Sequence, residues 1–263
     1  EISLGLVGSE MCIRDRWTEE IGKMRVVIPE DEKKALTHYA YHIKAGKEIF
    51  AAEGAFGQYL ICFRDYPVAI GITAGASEYL AADICLKYIK EAVQIPCEKE
   101  NLEEAQEKLE EKLVHLTLPK PEGDKKDTNE ATKKLLNKRI VFTENPRQIE
   151  SAVISTVGEE LKLELTVAGE KKILFAGYKD WKCNDMYPND FTKRYHAVSY
   201  AFDEDALYLS VGLLNTSYRE EYCLWVNSEN VVVGTWRPNV TYLPAEEDMT
   251  WKFTGTFEPS CIL

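Results

Sequence analysis

No apolar run in the 263 residues is long enough to cross a bilayer as a helix. Positive charge is also scarce: 44 acidic residues face 32 basic ones, for a net charge of −12. A nucleic-acid binder needs a basic face for the phosphates, and an anionic membrane surface would repel this chain, so neither partner is expected. The seven cysteines form no C-x-x-C pair, which argues against a zinc ribbon and a thioredoxin-type redox couple. Their scatter and odd number fit a reducing, cytoplasmic compartment. Missing too are the G-x-S-x-G elbow, H-E-x-x-H and any glycine-rich phosphate loop. What the chain does have is 45% hydrophobic against 29% charged residues, enough for a packed core in one large or two modest domains.

Residues 1–16, "EISLGLVGSEMCIRDR", share neither the chemistry nor the rhythm of the remaining chain and read as a non-native tail. Residue 1 is Glu, so a coding start is expected upstream. From residue 17 to 97 the pattern is strands followed by a helix. "LTHYAYHIKAG" (Leu36 to Gly46) reads as one aromatic-rich strand, "EIFAAEGAFGQYLICF" as a second one interrupted by glycines, and "VAIGITA" as a third after an "RDYP" turn. "SEYLAADICLKYIKEAV" predicts an amphipathic helix capped by Ser77, with Glu78 in its first turn. Its expected apolar face is Leu80, Ile84 and Tyr88, flanked by Cys85 and Ile89. Residues 98–137 read as a helical connector and linker, with leucines at 102, 109, 113 and 116 and a short helix at Thr132 to Asn137. From 138 onward eight short runs predict strands, from "IESAVISTV" to "MTWKFTGTF"; "LKLEL" and "ALYLSV" alternate apolar with polar. The expected fold class is α+β: an antiparallel sheet with a covering helix, then an antiparallel β barrel or sandwich at 138–263.

The stretch "FAAEGAFGQYLICF" (Phe50 to Phe63) carries two glycines where a strand should carry side chains. Glycine inside a strand packs nothing, so it suggests close approach of something to the backbone. Strand, "EGAFGQYLICF", turn, returning strand and helix together resemble the end of the serine beta-lactamase-like hydrolases, which include class C beta-lactamases and penicillin-binding-protein relatives. In that family a strand beside the active site carries K-T-G or H-x-G; a bacterial subgroup shows G-x-F-G-Q, matched here by Gly54-Ala55-Phe56-Gly57-Gln58. The β module after the connector is similar to the lipocalin-like tail of that subgroup.

The resemblance implies acyl transfer to water through an acyl-serine. The Ala55 N–H is the expected oxyanion donor, a role typically worth about 3–4 kcal/mol in the transition state. Gly54 would leave that amide open and Gly57 would let the backbone bend, while Phe56, Gln58 and Glu53 are expected at the substrate. Ala52 and Glu53 replace the usual cation, so the implied substrate is an ester, a small amide or a peptide bond, not a penicillin. No cofactor or metal is called for. The family's S-x-x-K is nowhere in the chain, and the one Y-x-N, Tyr187-Pro188-Asn189, follows the third motif instead of preceding it. Nucleophile and base are therefore expected in an N-terminal part of the same protein, without which this chain is inert. A homo-oligomer is a further expected partner state. The competing reading is a non-catalytic β barrel holding an apolar or sugar ligand; a third is an oligomerisation module.

Other constellations have plainer readings. His38 and His42, i and i+4, would stand about 13 Å apart on one strand face, too far for one metal; either lines a cleft or faces solvent. "FDEDA" (Phe202 to Ala206) reads as a hairpin turn instead of a calcium loop. Trp181, Trp225, Trp236 and Trp251 suit a β core better than a sugar platform. Cys183 and Cys223 are compatible with spatial proximity.

Overall fold

A computed structural model describes residues 16–17, 19–29, 34–76, 81–94, 102–123, 132–184, 195–241 and 249–259. The tail (Arg16 apart), Ser77, Glu78, Leu80 and Tyr187-Pro188-Asn189 lie outside the described residues, so the readings placed on them have no structural counterpart. The molecule is mostly β. It divides at His115/Leu116 into two compact units, and the segment 116–137 goes with the second.

The first unit is a six-stranded antiparallel sheet in simple sequence order: β1 (Val26–Val27), β2 (His38–Ala40), β3 (Ile43–Ala45), β4 (Ile49–Gly54), β5 (Gln58–Phe63) and β6 (Ala69–Ile72). Helix α1 (Ala81–Ala92) packs Ala81, Ala82, Cys85, Leu86 and Ile89 against Ile49, Ala51, Tyr59, Ile61 and Phe63. Three expectations need correction. "LTHYAYHIKAG" is two strands, not one: Tyr41 and His42 both have left-handed backbone (φ 39° and 64°) and turn β2 into β3. His38 and His42 are therefore not on one strand face; His38 Nδ1 contacts Thr37 Oγ1 at 2.8 Å and His42 Nδ1 contacts Tyr39 Oη at 3.2 Å. The helix face is also rotated from the expected one, because Ile84 (51% exposed) and Tyr88 (61%) point outward while Ala82, Cys85, Leu86 and Ile89 face the sheet. A helix with apolar residues at 82, 84, 85, 86, 88 and 89 offers two stripes, and the sheet takes the one whose small residues allow close approach. Helix α2 (Leu102–Val114) buries no residue.

The second unit is an up-and-down barrel, antiparallel except at the one parallel pairing that closes it, and closure removes the edges a sandwich would leave. Its strands are β7 (Arg139–Phe142), β8 (Ile149–Val157), β9 (Glu160–Val167), β10 (Glu170–Tyr178), β11 (Lys182–Asn184), β12 (His196–Asp203), β13 (Ala206–Leu213), β14 (Arg219–Val226), β15 (Val232–Pro238) and β16 (Trp251–Phe257). Pairing runs β10-β9-β8-β7-β16-β15-β14-β13-β12, and β12 returns to β10 through Gly177 opposite Ser199 and Tyr178 opposite Tyr200, closing nine strands into a ring. All eight runs expected after residue 138 are strands. β7 and β11, only four and three residues long, come in addition to them.

Alternation decides what goes inside. Leu161, Leu163 and Leu165 turn inward, while Lys162 and Glu164 pair outside at 2.6 Å. Turns follow the same chemistry: Ala168 and Gly169 (φ 50° and 78°) make a two-residue reversal that matches the right-handed twist of its strands. "FDEDA" is a hairpin, with Asp203 opposite Ala206. Trp236 and Trp251 lie ring to ring at 4.7 Å in and against the barrel core, in keeping with the core reading. Cys183 and Cys223 stand three strands apart, about 14 Å at ordinary strand spacing, so they are not neighbours. One end of the barrel is solid: a 3-10 turn at Thr132–Leu135 carries Leu135 inward to join Ile140, Leu161, Phe202, Leu207 and Val232, all at most 1% exposed.

Candidate functional site: a cavity inside the barrel

The rest of the barrel interior is not filled. A cavity of about 110 Å³ is walled by apolar side chains from around the ring, among them Ile154, Leu163, Leu174, Leu209, Leu224 and Phe253. Room for Phe253 depends on Gly234, directly opposite it, where a β-carbon would sit 2.4 Å from the ring. Among the described residues, five polar side chains also line the cavity: Arg147, Lys172, His196, Glu220 and Tyr222.

Their placement comes from local structure. Glu220 and Tyr222 share the inward phase of β14 with Leu224, and Lys172 shares that of β10 with Leu174. Arg147 comes from the β7–β8 loop, which Asn145 holds rigid. The Asn145 side chain accepts the Ile149 N–H at 3.0 Å and donates to the carbonyls of Thr143 and Ile149 at 2.9 and 2.8 Å. Such Asx turns fix a loop without secondary structure.

Glu220 is only 8% exposed at its side chain and has both oxygens engaged. Tyr222 donates its hydroxyl to Oε2 at 2.7 Å, and Arg147 Nε lies 3.1 Å from Oε1. The Arg147 Nε–H is buried but does not point along a hydrogen bond, so that contact is an ion pair without a directed bond. Burial works against the guanidinium charge, yet the adjacent Glu220 outweighs it and Arg147 is held more firmly cationic than usual. Burial first, and then the charge of Glu220, keeps the Tyr222 phenol protonated well above its ordinary range.

That shift has a sign. Folded Tyr222 holds its proton where the unfolded phenol, near pH 10, would lose it, so its contribution is intact below pH 10 and lost as pH rises beyond. Tyr222→Phe is expected to lower stability at pH 7 by about 1–2 kcal/mol, through loss of the Glu220 bond, and to flatten the decline above pH 10. Denaturant midpoints between pH 7 and 11 test both; an unchanged alkaline slope would assign it elsewhere.

The residues singled out from sequence lie in the other unit, on the β4–β5 hairpin. β4 and β5 are one hairpin and not an interrupted strand: Gly54 pairs with Gln58, and Ala55, Phe56 and Gly57 form the reversal. Phe56 (φ 63°) and Gly57 (φ 84°) have left-handed backbone, so the turn itself accounts for Gly57. Gly54 lies tight against its partner, since a β-carbon there would be 3.1 Å from Gln58 Cβ. Gln58 donates to the Ala74 carbonyl, and the Phe56 carbonyl accepts the Ala76 N–H at 3.0 Å, so the hairpin tip clasps the chain leaving β6. Glu53 is paired to Lys44 at 3.1 Å. Gly57→Ala is expected to cost about 1–2 kcal/mol, because the new methyl meets Ala74 Cβ at 3.3 Å and the backbone is unfavourable for any L side chain. Urea unfolding followed by circular dichroism measures it.

Arg147, Glu220, Tyr222 and Lys172 are not among the residues the sequence singles out. A signal exists: Glu220 in "REEYCLWV" and Lys172 in "EKKILFAG" are charged residues in phase with an apolar strand face.

No protein-family model matches the chain, and no curated protein does. Among solved structures, the apo lipid binding protein 8 of Caenorhabditis elegans superposes on 49% of this chain and 98% of its own, at 8% identity and a TM-score of 0.37. A score that low carries no weight, and the barrel rests on its own strand pairings.

Proposed function

We propose that the second unit is a binding module that holds a small apolar molecule inside its barrel. The observation that carries this reading is the cavity of about 110 Å³, apolar over most of its wall with a few polar groups along it. Well-packed barrels fill their interiors with side chains, and a pocket that is mostly apolar with a few placed polar groups suits a small ligand. The test is a titration of the whole chain with toluene or a similar single-ring neutral aromatic probe, read by calorimetry. Saturable binding at one site is expected, and Ala152→Phe, projecting from β8 into the cavity, is expected to abolish it without unfolding the protein. Absence of saturable binding, or binding indifferent to Ala152→Phe, overturns the proposal.

A second reading concerns the first unit. The face of its sheet opposite α1 carries Leu60 at 55% exposure beside the small residues Ala52 and Gly71. Such a face suits further chain packed upon it, in keeping with the C-terminal part of a beta-lactamase-like serine hydrolase acting on an ester, amide or peptide. In that reading Ala55, Gly54 and Gly57 shape the cleft edge from the hairpin tip. Coding sequence upstream of Glu1 should then contain S-x-x-K followed by Y-x-N; an uninterrupted upstream frame with neither removes the hydrolase.

A further inference from the structure

Resting on the barrel being a binding module, we infer that its ligand is an uncharged hydrocarbon the size of a single ring, and that Glu220 enforces this choice. Its carboxylate fills, from within the protein, the place at Arg147 that an acidic ligand head would take. Size comes first. An engineered apolar cavity of about 150 Å³ takes a single benzene, whereas pockets for drug-sized ligands span roughly 300–1,000 Å³. At about 110 Å³ this cavity accepts one ring or a short chain.

What the wall offers a polar group decides the rest. Glu220 is the one carboxylate in it among the described residues, and the protein uses both of its oxygens. Oε1 lies 3.1 Å from Arg147 Nε, and Oε2 accepts the Tyr222 hydroxyl at 2.7 Å. Arg147 also interacts with that hydroxyl, so the three side chains close on one another. The Arg147 Nε–H is buried against Glu220 and is not open to a guest. Lys172 and His196 likewise have partners within the protein. Within the Arg147–Glu220 pair the charges cancel. A ligand carboxylate would compete with Glu220 for one guanidinium while lying close to a like charge. An ammonium would find the carboxylate already neutralised. Either ion would give up its water with nothing to replace it, which is costly in a mostly apolar wall. A hydrocarbon makes no such sacrifice and gains the contacts of Leu163, Leu209 and Phe253. Discrimination by a fixed charge set against the wrong guest is as effective as a contact made for the right one.

The experiment compares toluene, pentanoate and hexylamine on the whole chain by calorimetry; the three have equal numbers of non-hydrogen atoms, so size does not separate them. Toluene is expected to bind more tightly than either ion by about tenfold or more, and naphthalene no more tightly than toluene. Glu220→Gln leaves Arg147 with an uncompensated charge in the cavity wall, and planar recognition of a carboxylate is a task for arginine. In that variant the affinity of pentanoate relative to toluene should rise by about tenfold or more. Arg147→Met combined with Glu220→Leu removes the cation as well and should abolish the gain. Pentanoate or hexylamine matching toluene on the unmodified protein overturns the uncharged ligand, and naphthalene about ten times tighter overturns the size limit. An unchanged ratio in Glu220→Gln overturns the role of Glu220. The comparisons on the unmodified protein need no variant, so they decide the ligand even where Glu220→Gln fails to fold. Failure of every ligand, toluene included, strikes the binding module itself and not the identity of its ligand.

Discussion

Asn184→Leu is expected to remove about 3 kcal/mol from the barrel while leaving the first unit intact. The ring closes at its weakest pairing, where β10 and β12 meet through only two parallel register pairs, and β11 occupies the same seam. Asn184, 9% exposed, spans it with one side chain. Its Oδ1 accepts the Phe175 N–H at 2.6 Å, and its Nδ2 donates to the carbonyls of Phe175, Lys182 and His196 at 3.0, 2.9 and 3.3 Å. The amide thus imitates a strand residue, serving both backbone groups of Phe175 on β10 while tying them to β12. Leucine has similar volume and none of this chemistry. A buried group left without a partner costs about 1–3 kcal/mol, and at least two such groups, the Phe175 N–H and C=O, lose this one. Four of the five tryptophans lie in the barrel unit, so fluorescence-detected denaturation of the whole chain reports on it selectively. Hydrogen exchange at the Phe175 amide should accelerate before any global change. A loss below about 0.5 kcal/mol with unchanged exchange would mean that the seam closes without Asn184.

That dependence on one side chain is invisible in the sequence, and the reason is general. Periodicity reports which face of a strand is buried, so "IESAVISTV", "ELKLELTVA" and the six runs after them mark their strands. It cannot report which strand lies beside which, and Asn184 matters only because the ring brings β10 back to β12. The same limit hides the cavity. Arg147 and Glu220 are 73 positions apart in the sequence and meet only because β14 and the β7–β8 loop reach the same part of the barrel interior. In the first unit one sequence feature has two readings. Glycines in "EGAFGQ" suggest openings for a ligand, yet left-handed φ at Phe56 and Gly57 needs only a hairpin reversal. A Phe at positive φ is unfavourable enough that nothing local would place a turn on it. Tyr41 and His42 hide the preceding hairpin in the same way.

The two ends of the barrel should differ in what truncation costs. Phe202→Ala is expected to destabilise the protein by about 3–5 kcal/mol, the range for a large aromatic lost from a close-packed interior. Phe202 is 1% exposed, meets Tyr200 edge to face at 5.6 Å, and belongs to the solid end with Leu135, Leu161 and Leu207. Nothing beside it has space to relax into the void. Leu209→Ala, on the wall of the cavity, removes a side chain that already lacks neighbours on one side, so its cost should fall near the lower limit for leucine, about 2 kcal/mol. Apolar ligand should act in the opposite sense, raising the unfolding midpoint of the unmodified protein and of Phe202→Ala alike while protecting Leu209→Ala less, since the cavity there is enlarged and fits the same ligand more loosely. Equal costs for the two truncations, measured by urea midpoints without ligand, would mean that the interior is packed evenly from end to end. An evenly packed barrel has no room to give a guest, and the binding proposal would fall with the difference.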